Sequence, residues 1–139
     1  MNVSRRTDYA LRALITLAAH PDEPLSIRTL ARENQIPKRF LEQIMLQLKD
    51  QGWVAGTQGR LGGYRLTLSP HHLTVGMVVR FFDGMLAPIG CVSVYHPETC
   101  PMQETCTFRN LFLQIRNNAA ALLDQTPLTA ITPPSGKQT

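Results

Sequence analysis

Between Leu25 and Pro70 the chain changes its apolar period once, and the order of elements this implies constrains the fold more than any other feature. Ser26 occupies a helix N-cap position, with Ile27, Leu30 and Ala31 on one face behind it. Asn34-Gln35 makes a turn, and Ile36 is placed to plug the core. Pro37 suits the start of the next helix, because it has no N–H to leave unpaired. Over residues 38–51, Phe40, Leu41, Ile44, Met45 and Leu48 form one apolar face, and Gly52 ends the helix. The period then falls to two. Residues 53–57 and 64–68 read as strands joined by Gln58-Gly59-Arg60-Leu61-Gly62-Gly63, and Pro70 stops the hairpin. Helix, turn, helix and two-stranded hairpin is the order of a winged helix-turn-helix, in a chain that is otherwise mainly α.

Helices flank this unit. Ser4 caps one running to about Ala19, with Tyr9, Leu11, Leu14, Leu17 and Ala18 at near-helical spacing and Pro21 just beyond. Thr74 caps a fourth bearing Val75, Val78, Val79 and Phe82, and Asp83-Gly84 turns the chain. Residues 85–106 form a loop rich in Pro, Gly and Cys, unusually long for a small domain unless it is functional. The last helix starts near Thr107. Phe108, Leu111, Phe112, Ile115, Ala119, Leu122 and Leu123 recur at three and four, a stripe wider than a small domain needs. We expect Leu111, Ile115 and Leu122 to meet a second copy in a homodimer. The alternative is that the stripe covers the first helix of its own chain. The expected division is a DNA-binding unit over 1–84, a sensor loop over 85–106, a dimerisation helix with its cap over 107–131 and a disordered tail over 132–139.

A length of 139 residues with 43% hydrophobic content supports one modest core. Aromatics at 6% argue against single-strand binding by base stacking. No apolar run approaches the ~18 residues of a membrane span. Asp8 and Arg12 interrupt any apolar stretch behind Arg5-Arg6, so we expect a cytoplasmic protein in which free thiols persist. Ten of the fourteen Lys and Arg residues lie in 1–65, against six of the ten acids, as a phosphate-facing half requires. The outward residues of the third helix suit the major groove of double-stranded DNA. Lys38 and Arg39 reach guanine or phosphate, Gln43 pairs with adenine, and Glu42 accepts from the cytosine amino group. Arg60, on the wing, suits a minor groove. Against this stands the plain reading that these residues are the wet side of a helix.

All three cysteines, Cys91, Cys100 and Cys106, fall in one 16-residue stretch. An odd number cannot all pair within one chain. Three thiolates on one loop suggest a soft-metal or iron–sulfur ligand set lacking its fourth member. His96, between the first two cysteines, is a local candidate for that member or simply a solvated loop histidine. Zinc is the weaker alternative, since no Cys-x-x-Cys pair is present. A thiol switch is the stronger one, with Cys100 and Cys106 forming a disulfide or a sulfenate. Buried structural cysteine does not fit well, because Pro97, Glu98, Gln103 and Glu104 are not core companions. A Cys91–His96 nucleophile pair would need an oxyanion site. No nucleotide-binding glycine loop, paired carboxylates or zincin motif accompanies it, so an enzyme is not expected.

Four stretches together resemble one family: Arg6-Thr7-Asp8-Tyr9-Ala10-Leu11-Arg12-Ala13-Leu14, Phe40-Leu41-Glu42-Gln43-Ile44, Gly59-Arg60-Leu61-Gly62-Gly63-Tyr64, and Gly84-Met85-Leu86-Ala87-Pro88 ahead of Cys91. They are similar to the first helix, recognition helix, wing and approach to the sensor loop of the IscR/NsrR/CymR-type regulators, the Rrf2 family. The resemblance covers about residues 1–130. It implies a homodimeric winged-helix regulator of transcription, with the long helix as its seam. Many members carry an iron–sulfur cluster (2Fe–2S or 4Fe–4S) on three cysteines, and others use thiols or a protein partner. By resemblance, Arg39, Glu42 and Gln43 match base-reading positions, and Cys91, Cys100 and Cys106 match cluster ligands. IscR-like members place a His three residues after the last cysteine, where this chain has Arg109. NsrR-like members use an acidic residue from the partner's first helix, and Asp8 stands at that place. The eight residues between Cys91 and Cys100 are more than either type has. Gln58 replaces a usual wing Arg, which shifts minor-groove contact to Arg60.

Overall fold

The computed structural model describes residues 2–60, 62–94 and 97–133. Five helices, α1 (Arg5–Ala18), α2 (Ile27–Asn34), α3 (Lys38–Asp50), α4 (Val75–Asp83) and α5 (Arg109–Asp124), accompany an antiparallel pair, β1 (Val54–Thr57) and β2 (Gly63–Leu66). Three short 3₁₀ turns follow the wing, at Gly90–Val92, Gln103–Thr105 and Leu128–Ala130. This is the expected winged helix with a long C-terminal helix.

Local chemistry starts the helices. The hydroxyls of Ser4, Ser26 and Thr74 accept from the N–H groups of Thr7, Thr29 and Met77 at 3.1, 3.1 and 3.2 Å. Each such cap stabilises its helix by ~0.5–2 kcal/mol. Gln35 ends α2 in the left-handed region at φ 55°, and the Ile36 N–H then returns to the Ala31 carbonyl at 2.9 Å. That turn aims Ile36 into the core and sets the entry into α3.

The core lies between α1, α2, α3 and α4. Leu14, Leu30, Leu41, Ile44, Leu48 and Val78 are fully buried in it. Each contributes ~1.5–3 kcal/mol by leaving water. Tyr9 meets Phe40 edge-on at 5.5 Å, locking α1 to α3, and Trp53 meets Phe81 of α4 in the same way.

The wing pairs Val54 with Leu66 and Thr57 with Gly63, and the Thr67 N–H extends the ladder to the Trp53 carbonyl at 3.0 Å. Its outer edge is also used. Leu25 and Tyr64 exchange backbone hydrogen bonds of 2.9 and 2.7 Å, a single-residue third strand. Gly63 is required there, since a Cβ would sit 2.4 Å from the Leu25 carbonyl.

Two boundaries differ from the sequence reading. α5 begins at Arg109, two residues beyond the expected start near Thr107, and its N-cap residue Phe108 makes no side-chain capping bond. The loop 85–106 contains two of the 3₁₀ turns. The C-terminal end of α5 is held to the core by the Arg80–Asp124 ion pair at 2.6 Å and by fully buried Leu128. The Val75 N–H bonds Thr126 O and the Leu128 N–H bonds Leu73 O. Beyond Pro133, the tail expected to be disordered lies outside the described residues.

Candidate nucleic-acid interface and cysteine cleft

α3 buries Leu41, Ile44, Met45 and Leu48 and turns Lys38, Arg39, Glu42 and Gln43 to solvent. Leu46 shares the exposed side, which the apolar pattern did not suggest. Gln58, Gly59 and Arg60 of the wing are also exposed, and Gly59 takes φ 103° to reverse the chain. Leu61, at the tip, lies outside the described residues. Between α3 and the wing runs a cleft of about 410 Å³ that brings Glu42 and Gln58 together with Lys49, Thr57 and Tyr64. Lys38, Arg39, Gln43 and Arg60 do not line it. Lys49 had no role from sequence. Its signal was spacing, since it follows Glu42 by seven residues, about two helical turns.

The three thiols line a second cleft of about 410 Å³, walled by Ile89, Met102, Phe108 and Phe112 and bordered by Arg109. Cys91 lies in the Gly90–Val92 turn, which is anchored by buried Val92. Arg116 Nη1 donates to the Val92 carbonyl at 2.7 Å, and Arg109 Nη2 reaches the Cys91 carbonyl at 3.4 Å. The Glu98 N–H bonds Gly90 O at 3.1 Å and folds the long spacer back on itself. The Gln103 N–H bonds Cys100 O at 3.1 Å, which fixes Cys100 to the following turn. All three cysteines are free thiols, Cys100 the most exposed.

This donor set fits a soft, anionic, thiolate-bound group. All three cysteines line one cleft, and the cationic Arg109 lines it with them. The side chains are not drawn in to ligand distance: among the described residues no three Cys, His, Asp or Glu groups form a metal-ligand set. His96 lies outside the described residues. Asp8 is on α1, paired with Arg12 at 2.9 Å on an exposed face, and does not line the cleft of its own chain.

Asp83, read from sequence only as part of a turn, joins distant parts. Its Oδ2 accepts from the Ser4 N–H at 2.9 Å and from Thr7 Oγ1 at 2.8 Å. The residue from which the cysteine loop departs therefore holds the start of α1. On α5, Leu111, Ile115 and Leu122 are 57%, 38% and 66% exposed. Leu123 turns inward to the core. The helix packs on α4 and on the Cys91 turn, and Leu111, Ile115 and Leu122 are left exposed.

Comparison with known proteins agrees with this layout. The family model Rrf2, an iron-dependent transcriptional regulator, matches residues 3–134. The rrf2-like HTH-type transcriptional regulator of Rhodobacter capsulatus is 37% identical over 133 residues, covering 91% of this chain and 89% of that one. The structure of CymR, the global cysteine regulator of Bacillus subtilis, superimposes with a TM-score of 0.77 at 28% identity, covering 95% of this chain and 96% of that one. The oxidized form of Staphylococcus aureus CymR gives a TM-score of 0.74 at 25% identity, with coverage of 95% and 96%. The likeness in sequence and in shape extends over nearly the whole chain, winged helix and C-terminal helix together, and the chain belongs to the Rrf2 family, as a transcription regulator of the CymR/IscR/NsrR type.

Proposed function

We propose that this regulator is a homodimer that reads double-stranded DNA with α3 and the wing, and senses redox state, iron or nitric oxide through an iron–sulfur cluster on Cys91, Cys100 and Cys106. Lys38, Arg39, Glu42 and Gln43 face the bases and phosphates, and Gln58 and Arg60 follow the adjoining groove. The observation that carries the sensing half is that all three cysteines line one cleft with the cationic Arg109. When bound there, a cluster supplies electron transfer and an exchangeable iron corner. Asp8 of the partner subunit is the proposed fourth ligand, a hard oxygen that holds iron more weakly than sulfur.

The chain's own residues supply the coupling. The loop that carries the cysteines is rooted at Asp83, and Asp83 holds the first turn of α1 through Ser4 and Thr7. α1 carries Asp8 and packs on α3 through Tyr9 and Phe40. Ordering the loop therefore biases the helix against which the recognition helix is set. Leu111, Ile115 and Leu122 form the dimer seam, which fixes the separation of the two recognition helices.

A second reading, favoured by exposed Cys100 and by the likeness to an oxidized CymR, is a cluster-free thiol switch. There Cys100 and Cys106 lose two electrons and two protons to a peroxide, which is reduced to water and alcohol or two waters, and the sulfurs join as a disulfide. One preparation separates the two. Anaerobically purified protein with stoichiometric iron and sulfide and a brown visible spectrum supports the cluster. Colourless protein that forms a Cys100–Cys106 crosslink with peroxide supports the switch.

A further inference from the structure

One exposed residue of α3 is explained neither by the core nor by charge. Leu46 is 57% exposed. Among the described residues of 4–88 it is the one large apolar side chain left exposed, the rest being Val3 and residues from Ile89 onward. Packing does not require it, because Leu41, Ile44, Met45 and Leu48 already anchor α3 and are fully buried. Helix formation does not require it either. Lys, Arg, Gln and Glu serve a helix about as well as Leu and would keep an exposed site polar.

Helix geometry sets Leu46 on the face that carries Arg39 and Gln43. It follows them by seven and three residues, two turns and one turn along. Its neighbours on the helix surface, Glu42, Gln43, Lys49 and Asp50, are all polar and exposed. Glu42 and Lys49 line the cleft between α3 and the wing, and Leu46 does not.

This setting separates the possible occupants. A protein partner docks on a contiguous apolar patch, and one leucine ringed by four polar side chains is not such a patch. The major groove of DNA offers the matching shape. There the 5-methyl group of thymine is a single methyl-sized apolar island among hydrogen-bonding base edges. Along the axis of α3, Leu46 lies about 4.5 Å beyond Gln43. That is close to the ~3.4 Å step between bases on one strand.

We propose that Leu46 is a specificity-determining residue, which lays its methyl groups on the 5-methyl of a thymine next to the base that Gln43 reads. The proposal rests on the DNA reading by α3 given above and adds to it a base preference that uses no hydrogen bond.

The test uses the full chain and an operator that it selects from random duplexes. Each thymine of one half-site is replaced in turn by deoxyuridine, which keeps every hydrogen-bonding group of the base and lacks only the methyl. Fluorescence anisotropy gives the affinities of wild type, Leu46→Ala and Leu46→Met for the parent and each substituted duplex. At one thymine the wild type should lose roughly fourfold, the worth of about one buried methyl. Leu46→Ala, too short to reach, should bind the parent duplex roughly fourfold more weakly and lose nothing further with uracil at that position. Leu46→Met, which keeps the reach, should keep the discrimination. Both variants should melt with the wild type, because the side chain is exposed.

A wild type indifferent to uracil at every thymine overturns the inference. A uracil penalty that persists undiminished in Leu46→Ala overturns it too, since the methyl would then act through another residue or through the shape of the duplex. The broader reading fails in a different way. A wild type that enriches no operator brings down DNA reading by α3 and the role of Leu46 together. Weakened binding by Arg39→Ala and Gln43→Ala, with no uracil effect, brings down the role of Leu46 alone.

Discussion

Arg39 and Gln43 project from the solvent side of α3, away from Leu41, Ile44 and Leu48. Replacing either by alanine therefore leaves the core untouched. Arg39→Ala and Gln43→Ala should each lose ~1–3 kcal/mol of specific DNA binding while the dimer and the thermal midpoint stay as they are. Fluorescence anisotropy with a selected operator measures this, and wild-type affinity in both variants would remove α3 as the reading element. Arg60→Ala should weaken binding and flatten its salt dependence by about one unit of slope. At the cysteine cleft, Cys→Ala at 91, 100 or 106 should assemble little or no cluster. Asp8→Ala should assemble one that is less stable or spectrally altered. An untouched spectrum and lifetime in Asp8→Ala, with a change in His96→Ala, would place the fourth ligand on the same loop and end the cross-subunit coupling. The Asp8–Arg12 pair is too exposed for its loss alone to disturb the fold.

Elements are joined here by a few polar contacts. Asp83 ends α4 and satisfies the first turn of α1, including a fully buried Thr7 hydroxyl. Asp83→Ala removes the acceptor of the Ser4 N–H and leaves the Thr7 hydroxyl only its contact with Ser4 Oγ at 3.2 Å. It should cost ~1–3 kcal/mol by urea unfolding, and Asp83→Asn, which keeps one acceptor oxygen, should cost less. Equal midpoints for wild type and Asp83→Ala would show that the joint between α4 and α1 does not stabilise the fold. These elements were unevenly legible. Ser4, Ser26 and Thr74 announced their helices because a cap acts within three residues of itself. Asp83 could not be read this way, because its partners lie 79 and 76 residues away. The Leu25–Tyr64 bridge escaped notice for a different reason: a one-residue strand has no alternation to detect.

At the scale of the molecule, α5 is fastened at its C-terminal end by Arg80–Asp124 and Leu128, and presents Leu111, Ile115 and Leu122 to solvent along its length. Leu111→Lys with Ile115→Lys should give monomers or insoluble protein, because a charge at the centre of an apolar seam opposes its burial. Sedimentation velocity reads the outcome, and a folded, dimeric double variant would move the interface elsewhere. The sequence alone determined the order of elements, the buried face of each helix and the outward residues of α3, since these follow from periodicity and capping, which act over one or two turns. It also placed three thiols on one loop. Only the tertiary structure decided that those three cysteines line a single cleft with Arg109, that Glu42 of α3 and Gln58 of the wing line another, and that Leu111, Ile115 and Leu122 of α5 are exposed. Each of these depends on how distant segments pack, and a local pattern carries no record of what lies opposite a side chain in space.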